Sequence, residues 1–186
     1  SRTNLSIVGP ASGEQTEINE RGPHVGVDDL RRFTERLVYL AGGADFCVIA
    51  GSLPPGAETD AYAELIAALR EVGVPVLLDT AGEPMRAGMR AQPAVVAPNV
   101  AEAEEAVGYE FSEPEDTFSA LTTLVEMGAE EAIITTGTGC VALTGGPHSR
   151  TRVEATIEPL PTVASIGSGD AFLAGYGESR RAGRSP

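Results

Sequence analysis

Residues 3–9, TNLSIVG, alternate polar and apolar side chains, PASGE supplies turn chemistry, and QTEINE carries the alternation on to Arg21-Gly22-Pro23. The pattern predicts a two-stranded hairpin. With one modestly apolar face, such a ribbon is marginal alone and has to lie on something. Beyond it the period lengthens. Leu30, Phe33, Leu37 and Leu40 recur at helical core spacing behind Asp28, the expected N-cap, and Gly42-Gly43 ends the helix.

From there, apolar runs alternate with helical patterns. DFCVIA, PVLLDT, AVVAPN, EAIITT and CVALT read as strands, with SRTRVEATIE a further candidate. Helices are expected at Thr59–Val72, Glu83–Met89, Ala101–Val107 and Glu115–Met127, the last entered through a capping box at Ser112-Glu113-Pro114-Glu115. Strands apolar on both faces, separated by helices, predict an α/β fold with a Rossmann-like, mostly parallel central sheet flanked by helices. Such sheets bind ligands beyond the strand C-termini. The loops expected there are GSLPPG, DTAGE, APNVAE, TTGTG and SIGSGD.

Composition narrows the choices. The 186 residues are 42% hydrophobic and 22% charged, with no apolar stretch of membrane-spanning length and no signal-peptide or presequence pattern at the start. A net charge of −14 argues against nucleic acid, whose phosphates need a basic face. Cys47 and Cys140 sit in strand-like runs without metal-ligand spacing, as inert buried thiols do. A cytoplasmic protein is expected.

Gly167-Ser168-Gly169-Asp170 precedes a helical apolar run. The spacing fits neither a dinucleotide fingerprint nor a P-loop. One reading is a tight turn capped by Asp170. The other has the amides of Gly167, Ser168 and Gly169 stabilise charge on a transferred phosphoryl group, while Asp170 takes the proton of the attacking hydroxyl. Asn99 and Glu102 stand at i, i+3 on one helix face. They read either as a cap with a first-turn glutamate or as a Mg²⁺ site of hard oxygen ligands, with Asp79 in its outer shell. Thr135, Gly137 and Gly139 of TTGTG form a hairpin turn or approach nucleotide phosphates. Ser52 is held by the prolines of GSLPPG, and Arg2 and Asn4 lie on the hairpin, where a guanidinium can clamp a phosphate. His24 and His148 carry no assignment.

In this order, Ser1-Arg2-Thr3-Asn4 with SGEQTEINERGP, GSLPPG, DTAGE, PNVAE and GSGDAFLAG resemble the ribokinase-like (PfkB-type) carbohydrate kinases. The likeness is nearest the phosphosugar branch of 1-phosphofructokinases, minor 6-phosphofructokinases and tagatose-6-phosphate kinases. The resemblance implies ATP as donor and Mg²⁺ held through Asn99 and Glu102. It also implies Asp170 as base, Gly167–Gly169 as anion hole, and Arg2 and Ser52 as contacts to a phosphorylated ketohexose. Residues 1–26 would be a β-lid, pairing with a second subunit, and residues 27–186 an incomplete kinase core, truncated at both ends. Two positions depart from the family pattern: Ala97 replaces a lysine, and TTGTG is one residue short. They favour the alternative of a non-catalytic sugar-phosphate-binding or dimerisation module. Arg2 speaks against a third reading, a kinase for an unphosphorylated sugar or nucleoside.

Overall fold

The computed structural model describes residues 3–9, 15–158 and 167–183. The hairpin is present: β1 (Asn4–Val8) pairs antiparallel with β2 (Gln15–Asn19), Leu5 opposite Ile18. It forms a separate two-stranded sheet, with Leu5, Ile7 and Ile18 all exposed. Its link to the rest runs past GSLPPG, where the Val25 amide donates to the Pro55 carbonyl (2.8 Å) and the His24 ring fills the space a side chain on Gly56 would need.

The main body follows as α1 (Val27–Ala41), β3 (Cys47–Ala50), α2 (Ala61–Glu71), β4 (Val76–Asp79), α3 (Gly82–Arg90), β5 (Val95–Val96), α4 (Val100–Val107) and α5 (Pro114–Glu126). It ends with β6 (Glu131–Thr136), β7 (Gly139–Thr144), β8 (Thr151–Thr156) and α6 (Ser168–Arg181). One sheet runs β3-β4-β5-β6-β7-β8 in space, as it does in sequence. The first three pairings are parallel, and β6-β7-β8 closes as an antiparallel meander. This is the expected α/β architecture.

Strand alternation divides the core between two faces. Val76, Leu78, Val96, Ala132, Ile134 and Val141 point to the side covered by α2 through α5. Leu77, Val95, Ala97, Ile133 and Ala142 point to the other, where Leu173 of α6 is buried among them.

Several expectations shift. Gly26, not Asp28, precedes α1, and Asp28 falls inside its first turn, where the acidic side chain faces the helix dipole instead. Phe33 and Leu40 are exposed at 54% and 63%, so the apolar stripe of α1 is only partly covered. DFCVIA is not buried on both faces: β3 ends the sheet among the described residues, and Val48 is 41% exposed. The cap of α5 lies one residue later than expected. Asp116, not Glu115, accepts from the amides of Ser112 and Glu113 (2.8 and 2.9 Å), because Pro114 occupies the first helical position and puts Asp116 at the third. Cys47 and Cys140 are half-buried free thiols, and burial pushes both pKa values up.

Candidate active site

The parallel strands all deliver their C-termini to one edge of the sheet. Ala50 of β3 lies beside Asp79 of β4, and Asn99, just past β5, bridges to Thr135 near the end of β6. GSLPPG, DTAGE, APNVAE and TTGTG therefore converge, as expected of such a sheet. The geometry is braced locally. Gly51, at φ +88°, accepts at its carbonyl from the buried Thr80 hydroxyl (2.8 Å) and the Tyr62 hydroxyl (3.1 Å), while its amide donates to the Asp79 carbonyl (2.9 Å). A left-handed residue is needed to turn the chain there.

Across this edge lies the start of α6. Gly167, at φ +80°, is its N-cap, and Ser168, Gly169 and Asp170 form the first turn. Asp170 is thus not a capping residue, and the tight-turn reading in which it caps the helix does not hold. A Cβ placed on Gly169 would stand 3.4 Å from Asp79 Oδ2, so the end of β4 and the first turn of α6 are in near contact.

Asp79, Glu102 and Asp170, far apart in sequence, line one cavity of about 320 Å³ together with Ser52 and Thr80. Their proximity shows electrostatically. The Asp79 carboxyl is pushed up to about 6, first by burial, then by the negative charges of Glu102 and Asp170. Carboxylate oxygens are the ligand type that a hard cation such as Mg²⁺ prefers, one or two of them sufficing beside water. Among the described residues no three His, Cys, Asp or Glu side chains stand together so as to hold a metal ion.

Asn99 stands apart. Its side chain accepts from the Glu102 amide (3.0 Å), and Glu102 Oε2 accepts from the Asn99 amide (2.9 Å), a reciprocal capping box on α4. The capping reading of this pair is therefore correct. Glu102 serves both the cap and the cavity, whereas Asn99 does not line the cavity.

TTGTG forms the β6–β7 hairpin, with Thr135 opposite Cys140 and Thr136 opposite Gly139, so the hairpin reading also holds. Gly139, at φ +152°, lets β8 approach, because a side chain there would collide with the Ala155 carbonyl. Asn4 lies on the hairpin opposite Asn19 and does not reach the cavity; Arg2 lies outside the described residues. Thr80, which props GSLPPG from beneath, was not singled out by sequence reasoning, and its position after an apolar strand was the available signal. A larger cavity of about 760 Å³ opens at the opposite pole, beside Glu131, Arg150 and Arg180, and contains none of the sequence-derived residues.

Residues 1–185 match the model of the pfkB family carbohydrate kinases. The chain belongs to this family. It is 35% identical to the 1-phosphofructokinase of Rhodobacter capsulatus over 175 residues, 94% of this chain and 54% of that protein. It is 30% identical to the 1-phosphofructokinase of Borreliella burgdorferi over 94% of this chain and 55% of that protein. The fold matches phosphofructokinase-2 from Escherichia coli, solved in complex with potassium, with a TM-score of 0.86 and 26% identity over 98% of this chain and 58% of that one. Ribokinase from Arabidopsis thaliana, at 18% identity and a TM-score of 0.70, shares the fold. This family member spans little more than half the length of those relatives. No helix among its described residues is long and apolar enough to cross a membrane.

Proposed function

We propose that this chain carries the catalytic half-site of an ATP-dependent kinase that phosphorylates a hydroxyl of a ketohexose phosphate. The observation that carries the reading is the meeting of Asp79, Glu102, Asp170 and Ser52 in one cavity, beside the first turn of α6. The relatives named 1-phosphofructokinase support a phosphosugar as acceptor.

In this reading Asp170 accepts the proton of the attacking hydroxyl, and the amides of Gly167, Ser168 and Gly169 face the negative charge developing on the transferred group. The N-terminal end of a helix suits that task through its unpaired amides and its dipole. Ser52, held on the GSLPPG loop, contacts the sugar. Glu102 and Asp79 would hold Mg²⁺, with Asn99 acting through its cap on α4, and the ion would neutralise phosphate charge. Thr135, Gly137 and Gly139 face the nucleotide phosphates from the β6–β7 turn. Arg2 and Asn4 belong to a β-lid of residues 1–26, which clamps the sugar phosphate and pairs with a second copy, over a core of residues 27–186.

The test is ADP production from MgATP with fructose 1-phosphate, fructose 6-phosphate and free fructose as acceptors. Turnover with a phosphorylated hexose and little with fructose is the expected result. Turnover with fructose alone moves the acceptor to unphosphorylated sugars. Binding of a sugar phosphate without ATP consumption favours the non-catalytic module.

A further inference from the structure

Glu131 opens the central strand β6 yet is only 7% exposed, and the chemistry proposed above makes no use of it. A carboxylate this deep is costly unless it is fully partnered. Its three partners come from two parts of the fold. Oε2 accepts from the Tyr176 hydroxyl at 2.6 Å, and Oε1 accepts from the Gly145 amide at 2.9 Å and from Arg180 Nη2 at 3.4 Å. Gly145 follows β7, whereas Tyr176 and Arg180 belong to α6. Burial and proton donation to Glu131 raise the Tyr176 phenol far above its ordinary value, so it remains a donor across the physiological range.

The same helix carries Asp170 in its first turn. Only Leu173 and Gly177 of α6 are fully buried, a thin apolar footprint for a helix of 14 residues. Gly177 lies against the far end of the Phe46 ring, close enough that a side chain there would collide with it. Apolar contact resists a helix lifting off the sheet but resists sliding along it poorly, because dispersion and burial are non-directional. Hydrogen bonds to a fixed carboxylate are directional and do oppose sliding. Tyr176 is six positions from Asp170, about 9 Å along the axis at 1.5 Å per residue. A shift at one end of a short rigid helix therefore reappears at the other.

We propose that Glu131 and Tyr176 are positioning residues: their clasp sets the axial placement of α6, and through it the placement of Asp170 and the first-turn amides against the reacting groups. This rests on the reading of Asp170 as base. Misplacing a reacting group by about 1 Å can cost about a hundredfold in rate.

Tyr176→Phe removes the clasping hydroxyl and keeps the ring; Glu131→Gln keeps an acceptor for Tyr176 and discards the charge shared with Arg180. In Tyr176→Phe, kcat should fall about tenfold or more, with KM for ATP and sugar phosphate within about twofold of the parent. Glu131→Gln should lose less. Hydrogen exchange at the amides of residues 171–177 should quicken in Tyr176→Phe, and in an Asp170→Asn background the same change should cost less in kcat than in the parent, because only the first-turn amides are then left to misplace. Unchanged exchange, an unchanged kcat, or an undiminished loss in the Asp170→Asn background overturns the clasp. If Asp170→Asn itself turns over normally, the base reading is what fails. Exchange in α6 then decides the clasp: faster exchange upholds it as the anchor of the helix, and unchanged exchange overturns it.

Discussion

Asp79 Oδ2 would stand 3.4 Å from a Cβ on Gly169, so the carboxylate that ends β4 lies against the first turn of α6. This approach joins two loops separated by some ninety residues of chain, and it brings the Asp170 charge within reach of Asp79. Gly169 does not have a positive φ, so alanine fits its backbone, and the added methyl makes ordinary contact with the carboxylate. Gly169→Ala should therefore leave thermal stability within about 1 kcal/mol of the parent, given the better helix propensity of alanine. Phosphoryl transfer should fall, because the methyl crowds the space between Asp79 and the turn. Melting curves and kcat, measured on the same preparation, check both halves.

The Asp79 pKa of about 6 has a consequence for folding. An unfolded aspartate titrates near 3.9, so between about pH 4 and pH 6 the folded chain holds a proton that the unfolded chain has lost. Stability from this group is complete below about pH 4 and declines as pH rises towards 6. Asp79→Asn should flatten that slope and be more stable than the parent above pH 6. Urea denaturation at a series of pH values reads the difference; a parent slope that survives the substitution would assign the shift to another group.

Asp170→Asn removes one of the two charges that raise Asp79 and leaves the side-chain shape nearly unchanged. Turnover should fall by about a hundredfold to ten-thousandfold, the usual worth of a positioned base. The Asp79 titration midpoint should move down at the same time. Carbon-detected NMR of the aspartate carboxyls follows the second effect without reference to activity.

The capping box separates two roles of Asn99. Asn99→Ala should cost about 1 kcal/mol, because the Glu102 amide loses its acceptor. Asn99→Ser restores a cap and should recover most of that stability. If Asn99 also serves the cation, the serine variant will still need more Mg²⁺ for half-maximal activity. A Mg²⁺ requirement equal to the parent's leaves Asn99 as a cap alone.

Gly128 is a purely structural test. It sits at φ +130°, and a side chain there would meet the Met89 carbonyl. Gly128→Ala combines backbone strain with a collision against backbone that cannot rotate away. A loss of about 2 kcal/mol or more in chemical denaturation is expected.

Much of this molecule is legible in its amino-acid sequence. The strand-like and helix-like periods locate every helix and strand of the main body to within a few residues, because both follow from which side chains must be buried. The converging loops are legible too, since a mostly parallel sheet sends its strand C-termini to one edge. The alternatives open for Asn99, Glu102 and TTGTG need the hydrogen bonds themselves, as caps, metal ligands and phosphate loops draw on the same residue types. The expected burial of Phe33, Leu40 and Val48 fails for a related reason. Periodicity marks the face that is apolar, but not what stands opposite it.

By itself, then, the sequence determined the α/β order, the loops that gather at one edge of the sheet, and the acidic and glycine-rich residues they carry. These follow from local periodicity, turn chemistry and backbone freedom. Only the tertiary structure decided that Asp79 meets Gly169 and Asp170, and that Glu131 is the buried partner of Tyr176 and Arg180. Such contacts join residues remote in the chain, and no local preference encodes them. They exist because burying the apolar face of α6 against the sheet leaves few places for its two polar ends to go.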